Sequence, residues 1–470
     1  MKSVNVNQNI SDLEYAVRGP IPQRAAKLKQ QGKRIIPCNI GNPQALGQKP
    51  ITFYREVLSL LENPNIINRE KYLSQNPISK FENISNHAIN VSEQLLTTME
   101  TGLGAYTDSK GQYFIRESVA KFIDKRDNID LSESNLQSNP NNIFLTDGAS
   151  EGAKGVLELL ITDKNDGIMI PIPQYPLYSA TIKRCGGTQV NYYPDEDNDW
   201  ALNKEILDVS FKEAKANKIE VKAIVVINPG NPTGAILDKS SIMQVIDFAK
   251  ENDLAIIADE VYQDNLYGGE FISFAKAIGA RKIPLFSLHS VSKGYYGECG
   301  QRGGYLEVRN PPSVSNSTLS FTELLFKVSS VNLCSNTIGQ ALVYLLVSPP
   351  QKGTDAYKLF TKEKETILDD LFAKATIIRK SFEEMDGMKC FGKTGALYLF
   401  PRMNILPPNT TDYDYCMSLL EETGLCVVNG LGFGQRPGTN HLRIAFLPSK
   451  ESLQGILPQW IDFHNKYVNQ

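Results

Sequence analysis

The sequence predicts an α/β fold: a large domain with a seven-stranded, mostly parallel sheet sandwiched by helices, and a smaller α+β domain. Three observations carry that prediction. From about residue 140, short β-branched runs alternate with amphipathic stretches. Several runs are apolar throughout, as in Ala223-Ile224-Val225-Val226-Ile227 and Leu254-Ala255-Ile256-Ile257-Ala258, which marks strands covered on both faces. The chain's 470 residues also exceed what one core usually fills, so two domains are expected.

The strands expected in order are Ile143–Thr146, Gly167–Ile172, Thr188–Tyr193, Ala223–Asn228, Leu254–Asp259, Leu285–His289 and Gly304–Val308. Helical stretches separate them; Ile242, Val245, Ile246 and Ala249 form a stripe at helical spacing. Beyond residue 333 the pattern changes. Leu333 to Met388 reads as helix interrupted at Ser348-Pro349-Pro350, followed by short strands at Leu397–Phe400, Cys426–Val428 and Leu442–Phe446 among Gly-rich turns. The expected division is an N-terminal arm with part of the small domain (1–95), a large domain (96–335) and a small C-terminal domain (336–470). The N-terminal segment is expected to complete the small domain.

Composition excludes several classes. Basic and acidic side chains number 49 and 52, a net charge of −3, which gives no reason to expect nucleic acid or an anionic membrane as partner. The longest apolar run, Ala341 to Val347, is far short of the ~18 residues of a spanning helix. The start, MKSVNVNQNISD, is polar with no apolar stretch of the secretory kind, so the cytosol is the expected compartment. Seven scattered cysteines without metal-ligand spacing read as reduced, mostly buried thiols, and no metal site is expected.

Unusual residues gather at the carboxyl ends of the expected strands, where open α/β sheets bind ligands. Thr146-Asp147-Gly148-Ala149-Ser150 leads into a helix at Glu151, and such a turn offers backbone N–H groups to an anion. Asn228-Pro229-Gly230-Asn231-Pro232-Thr233-Gly234 carries Asn231 away from its strand on a Pro-punctuated turn. Asp259-Glu260-Val261-Tyr262 ends an apolar strand with a carboxylate, which is costly there unless a donor or cation meets it. Ser290-Val291-Ser292-Lys293-Gly294, followed by Arg302, supplies an amine and a phosphate-matching guanidinium. Each has a bland reading: a capped turn, a rigid loop, an ion pair, a solvated lysine. Together they offer an anion cradle, an amide donor, an acid, a phenol, an amine and an arginine, the set that pyridoxal 5′-phosphate requires.

With these residues the chain resembles the fold-type I pyridoxal-phosphate aminotransferases, and within them the alanine aminotransferase branch. The resemblance extends from Glu14-Tyr15-Ala16-Val17-Arg18-Gly19-Pro20 almost to the C-terminus. It is carried by Asn39-Ile40-Gly41, by Pro171-Ile172-Pro173-Gln174-Tyr175-Pro176-Leu177-Tyr178, by Asp259 through Asn265, and by Gly297-Glu298-Cys299-Gly300-Gln301-Arg302-Gly303-Gly304. It implies that Lys293 holds the cofactor as a Schiff base and that Asp259 meets the pyridinium nitrogen. It implies that Asn231 and Tyr262 bond the ring oxygen and Tyr175 stacks on the ring. Ala149, Ser150, Ser290 and Arg302 would bind phosphate, although Arg302 lies nine residues after Lys293, one more than in many relatives.

The resemblance further implies that Arg443, with Gly41 and Asn231, receives the substrate carboxylate. Tyr106 would reach the neighbouring subunit's phosphate, making the active unit a homodimer. The implied reaction exchanges L-alanine and 2-oxoglutarate for pyruvate and L-glutamate in ping-pong fashion. A glutamate:glyoxylate aminotransferase resembles the chain nearly as well. A catalytically silent protein of the same fold should lack the lysine or the acid, and both are here. His289 is expected in the core, Cys299 to be buried, and Gly430-Leu431-Gly432-Phe433-Gly434 to form a mobile substrate-domain turn.

Overall fold

The structure is a computed structural model and describes residues 3–13, 19–76, 78, 83–130, 132–133 and 135–470. Glu14 through Arg18, where the family resemblance begins, lie outside the described residues.

All seven expected strands form, as β1 (Ile143–Asp147), β2 (Asp166–Pro171), β3 (Thr188–Tyr192), β4 (Glu220–Ile227), β5 (Ala255–Asp259), β6 (Leu285–Ser290) and β7 (Gly303–Arg309). They make one sheet in the order β1-β7-β6-β5-β4-β2-β3. The pairs β2–β3, β2–β4 and β4–β5 are parallel, and β1–β7 is antiparallel. The predicted class is therefore correct, with an antiparallel pair, β1 and β7, at one edge. Every residue of β5 and β6 is buried, which explains the apolar run Ala255-Ile256-Ile257-Ala258 in β5.

The chain forms two compact units. One comprises Met1–Gly47, Val156–Leu285 and Asp370–Gln470; the other comprises Gln48–Gly155 and Phe286–Asp369. The first has a core in which Met169, Val190, Ile224 and Ile256 meet the stripe of Ile242, Val245, Ile246 and Ala249 predicted for a helix, observed over Lys239–Glu251. Asp238 caps that helix by accepting the Ser241 N–H. The same unit holds a three-stranded antiparallel sheet of β8 (Tyr398–Leu399), β9 (Val428–Asn429) and β10 (Leu442–Ala445), with β10 central. The expected strand Cys426–Val428 is split: Leu425–Cys426 pairs with Ile36–Pro37 from the N-terminal segment, and β9 pairs with β10. The second unit packs Tyr54, Val57, Ile115, Val119, Tyr295, Tyr296 and Leu342 into a single core.

Candidate active site

In the first unit the strand ends deliver a buried cluster. Asn228 follows β4 and its N–H donates to the Asp259 carbonyl (3.0 Å), which joins two neighbouring strand ends. Both Asn-Pro bonds of the following turn are cis. Gly234 has φ +69°, and a Cβ there would stand 2.4 Å from the Tyr398 carbonyl oxygen, so only glycine fits. The turn places Asn231, 5% exposed, with its Oδ1 accepting from Arg443 Nη1 (3.1 Å) and its Nδ2 3.5 Å from the Tyr262 hydroxyl. The Tyr398 hydroxyl lies 3.5 Å from that of Tyr262.

Asp259, at the tip of β5, is buried and accepts a hydrogen bond from the Tyr178 hydroxyl (2.8 Å). Burial, and then the Asp259 charge, push the Tyr178 phenol well above its usual range, so it keeps its proton and donates. Burial also raises Tyr262, with Tyr398 the next cause. Glu260 acts elsewhere, its carboxylate accepting the Phe274 N–H (2.8 Å) at the start of the helix Phe274–Ile278. Tyr175 is half-buried on the loop before Tyr178, and its phenolate would oppose ionisation of both Tyr178 and Tyr262.

Arg443, on β10, is 2% exposed. Its guanidinium lies between the Tyr398 ring (4.2 Å to the centroid) and the Phe433 ring (4.6 Å). Nη2 donates to the Asn39 carbonyl (2.8 Å), Nη1 to Asn231, and Nε has no partner among the described residues. Among the described residues no carboxylate pairs with it. A buried cation held only by neutral groups is costly, and a carboxylate ligand would relieve that cost. Gly41 adjoins this place: a Cβ there would fall 1.7 Å from the Tyr398 hydroxyl.

In the second unit β1 ends at Asp147, and the helix begins at Ala149, two residues earlier than the sequence suggested. Ala149 and Ser150 thus occupy its first turn, where backbone N–H groups lack intrahelical acceptors. Gly148 turns the chain at φ +74°. Arg302 arrives over this turn: Nη2 donates to the Asp147 carbonyl (3.0 Å) and to Ser150 Oγ (3.2 Å), and Nη1 to the Cys299 carbonyl (2.9 Å). No carboxylate among the described residues pairs with Arg302. A helix N-terminus and a guanidinium therefore converge on one point, an arrangement suited to a phosphate.

Ser290 ends β6, donates to the Gly303 carbonyl (3.0 Å) and accepts the Ser292 N–H (3.1 Å). Lys293 follows on a turn, half-buried, with its carbonyl accepting from Gly297 N–H (3.3 Å). That turn is anchored by the buried rings of Tyr295 and Tyr296 and by Glu298, 2% exposed, in an ion pair with Arg55 (2.7 Å). Tyr106 stands 78% exposed.

Several expectations need correction. Only Cys38, Cys416 and Cys426 are buried; the other four thiols are half-buried, including Cys299, whose Sγ donates to the Ser292 carbonyl (3.0 Å). His289 is buried, as expected, against the Tyr305 ring. Sequence reasoning assigned no role to Tyr178, Tyr398 or Phe433, because nothing local shows that their rings reach Asp259 and Arg443. Among the described residues no cluster of metal-ligating side chains occurs, and no helix is long and apolar enough to cross a membrane.

This chain belongs to the class I and II aminotransferases: the model of that family matches residues 72–457. Its cofactor is pyridoxal 5′-phosphate. Each unit carries groups suited to part of it: the first a buried acid at Asp259, the second a helix N-terminus with a guanidinium at Gly148–Ser150 and Arg302 and an anchored lysine-bearing turn. The chain is 39% identical to the probable mitochondrial alanine aminotransferase of Dictyostelium discoideum, over 99% of this chain and 89% of that one. It is 40% identical to glutamate–glyoxylate aminotransferase 2 of Arabidopsis thaliana, over 99% of this chain and 96% of that one. The solved alanine aminotransferase from Pyrococcus furiosus superposes with a TM-score of 0.77, covering 98% of this chain and all of that one; at 24% identity this establishes the fold.

Proposed function

We propose that this enzyme transfers the amino group of L-alanine to 2-oxoglutarate, giving pyruvate and L-glutamate by a ping-pong mechanism. The observation that carries the reading is Arg443, a buried guanidinium with no counter-ion among the described residues, in a chain about 40% identical to alanine aminotransferases. Both donors and both acceptors of the amino group carry an α-carboxylate, so one arginine can serve both half-reactions. The bound cofactor supplies an aldehyde for the amine and a ring that withdraws electrons from the substrate carbon.

The chain's own groups do the rest. Lys293 would hold the cofactor and supply the amine that moves a proton at the substrate carbon. Asp259, oriented by Tyr178, keeps the ring nitrogen protonated. Asn231 and Tyr262 would hold the ring oxygen, and Tyr175 would cover the ring. Ala149, Ser150, Ser290 and Arg302 hold phosphate, and Gly41 leaves room beside Arg443. Tyr106, exposed in the single chain, serves the neighbouring subunit of a homodimer. The expected large domain (96–335) supplies the cofactor residues and the small one (336–470) Arg443. Seven free thiols support a reducing compartment, and we place the enzyme in the cytosol.

A glutamate:glyoxylate aminotransferase is the second reading, favoured by the 40% identity to the Arabidopsis protein. Purified holoenzyme with alanine and 2-oxoglutarate, followed by pyruvate formation, decides between them. Turnover with glutamate and glyoxylate at a much higher kcat/KM would replace the first reading by the second.

A further inference from the structure

Arg443 owes one wall of its aromatic sandwich to a short turn. Gly430–Phe433 spans four residues, and its other large side chain, Leu431, points to solvent at 65% exposure. Burial of Leu431 therefore cannot hold the turn. A polar circuit does. The Leu431 N–H donates to Asp412 Oδ2 (3.0 Å), which also accepts from Gln435 Nε2 (2.7 Å). Gln435 Oε1 lies 2.8 Å from His441 Nδ1, and His441 Nε2 lies 2.9 Å from Glu196 Oε1. Glu196 is held in turn by Arg402 Nη1 (3.1 Å).

The circuit returns to the turn through backbone, since the Gly430 N–H donates to the His441 carbonyl (2.8 Å). The packing is close: a Cβ on Gly430 would stand 2.4 Å from Gln435 Oε1 and 2.7 Å from His441 Cβ. Asp412 and His441 are 1% and 2% exposed, so each link they make has one end away from water, where losing a partner is costly. His441 also lies flat on Phe400 (4.7 Å, 7°), whose ring stands edge-on to Phe433 (6.1 Å, 90°).

We propose that Glu196, His441, Gln435 and Asp412 are positioning residues that fix Phe433 against Arg443 and thereby set the affinity for carboxylate substrates. None of the four hydrogen-bonds the Arg443 guanidinium, whose bonds go to Asn231 and Asn39. The proposal rests on the reading of Arg443 as the carboxylate site.

The test is steady-state kinetics of the holoenzyme with alanine and 2-oxoglutarate for Gln435→Leu, Arg443→Lys and the double variant. Gln435→Leu should raise KM for both substrates about tenfold, change kcat less than about twofold, and leave the absorbance of bound cofactor unaltered without substrate. In the Arg443→Lys background the same change should add almost nothing, because both act through one group. Parental KM values in Gln435→Leu, a loss confined to kcat, or additive effects in the double variant would overturn the proposal. Parental KM values in Arg443→Lys would instead remove the carboxylate reading itself. Should Gln435→Leu not fold, Phe433→Leu tests the last link and must show the same split between KM and kcat; a parental KM there overturns the proposal equally.

Discussion

Asp259 and Glu260 adjoin in sequence and are both buried, yet one meets a phenol and the other a helix N-terminus. Asp259 is the last residue of β5 and Glu260 the first beyond it, and their different neighbours separate their roles. Asp259→Asn should retain the cofactor and lose orders of magnitude in kcat, since an amide cannot stabilise a protonated ring nitrogen; parental kinetics would show that this acid has no such role. Tyr178→Phe removes one hydrogen bond to a carboxylate, worth about 1.5–3 kcal/mol. It should lower kcat roughly tenfold or more and shift the pH titration of cofactor absorbance, and an unchanged titration would mean that Tyr178 does not act through Asp259. Lys293→Ala should bind cofactor but turn over less than about 10⁻² as fast as the parent. Among these residues Asp259 and Lys293 stand out in the sequence because their motifs are local. Tyr178 does not, since its partner is 81 residues away and only the sheet brings the two together.

Elements were more legible than contacts. The central strands β4 and β5 announce themselves because burial on both faces forces continuous apolar runs, a signal that needs no partner to be read. Two-residue pairings such as Leu266–Tyr267 with Thr394–Gly395 are too short to leave a pattern and are visible only in the structure. The turn at Gly148 shows how an element end becomes a binding device. A Cβ there would approach Arg302 Nη2 to 2.4 Å, at a backbone angle unfavourable to any other residue. Gly148→Ala should therefore displace Arg302 and weaken reconstitution of apoenzyme with cofactor about tenfold or more, measured by fluorescence titration; unaltered affinity would take Arg302 out of the phosphate cradle.

The helices Asp412–Thr423 and Lys450–Val468 meet through a chain of donors. Trp460 Nε1 donates to the Tyr415 hydroxyl (2.8 Å), which donates to His464 Nδ1 (2.9 Å), while Nε2 donates to the Asp386 carbonyl (2.9 Å). Only a neutral imidazole satisfies that order, and burial depresses the His464 pKa below 6.5. A depressed value in the folded state means stability that is full above about pH 6.5 and is lost as the pH falls toward the folded value. Melting temperature should drop on acidification, with a shallower slope in His464→Phe; equal slopes would assign the loss to other groups.

At the scale of the whole molecule, a net charge of −3 leaves association to shape and apolar contact rather than to a strong field. Sedimentation should find a particle of twice 52.3 kDa, and specific activity should fall with dilution if Tyr106 completes a neighbour's site. Activity that is proportional to protein down to the monomer range would return Tyr106 to the surface. The contact between Gly41 and Tyr398 sets a further limit on the enzyme as a whole. With the aromatic oxygen already where a methyl would go, position 41 has no neighbouring solution in sequence space. Directed evolution toward bulkier acids should leave that glycine untouched and find its gains on the opposite side of the guanidinium.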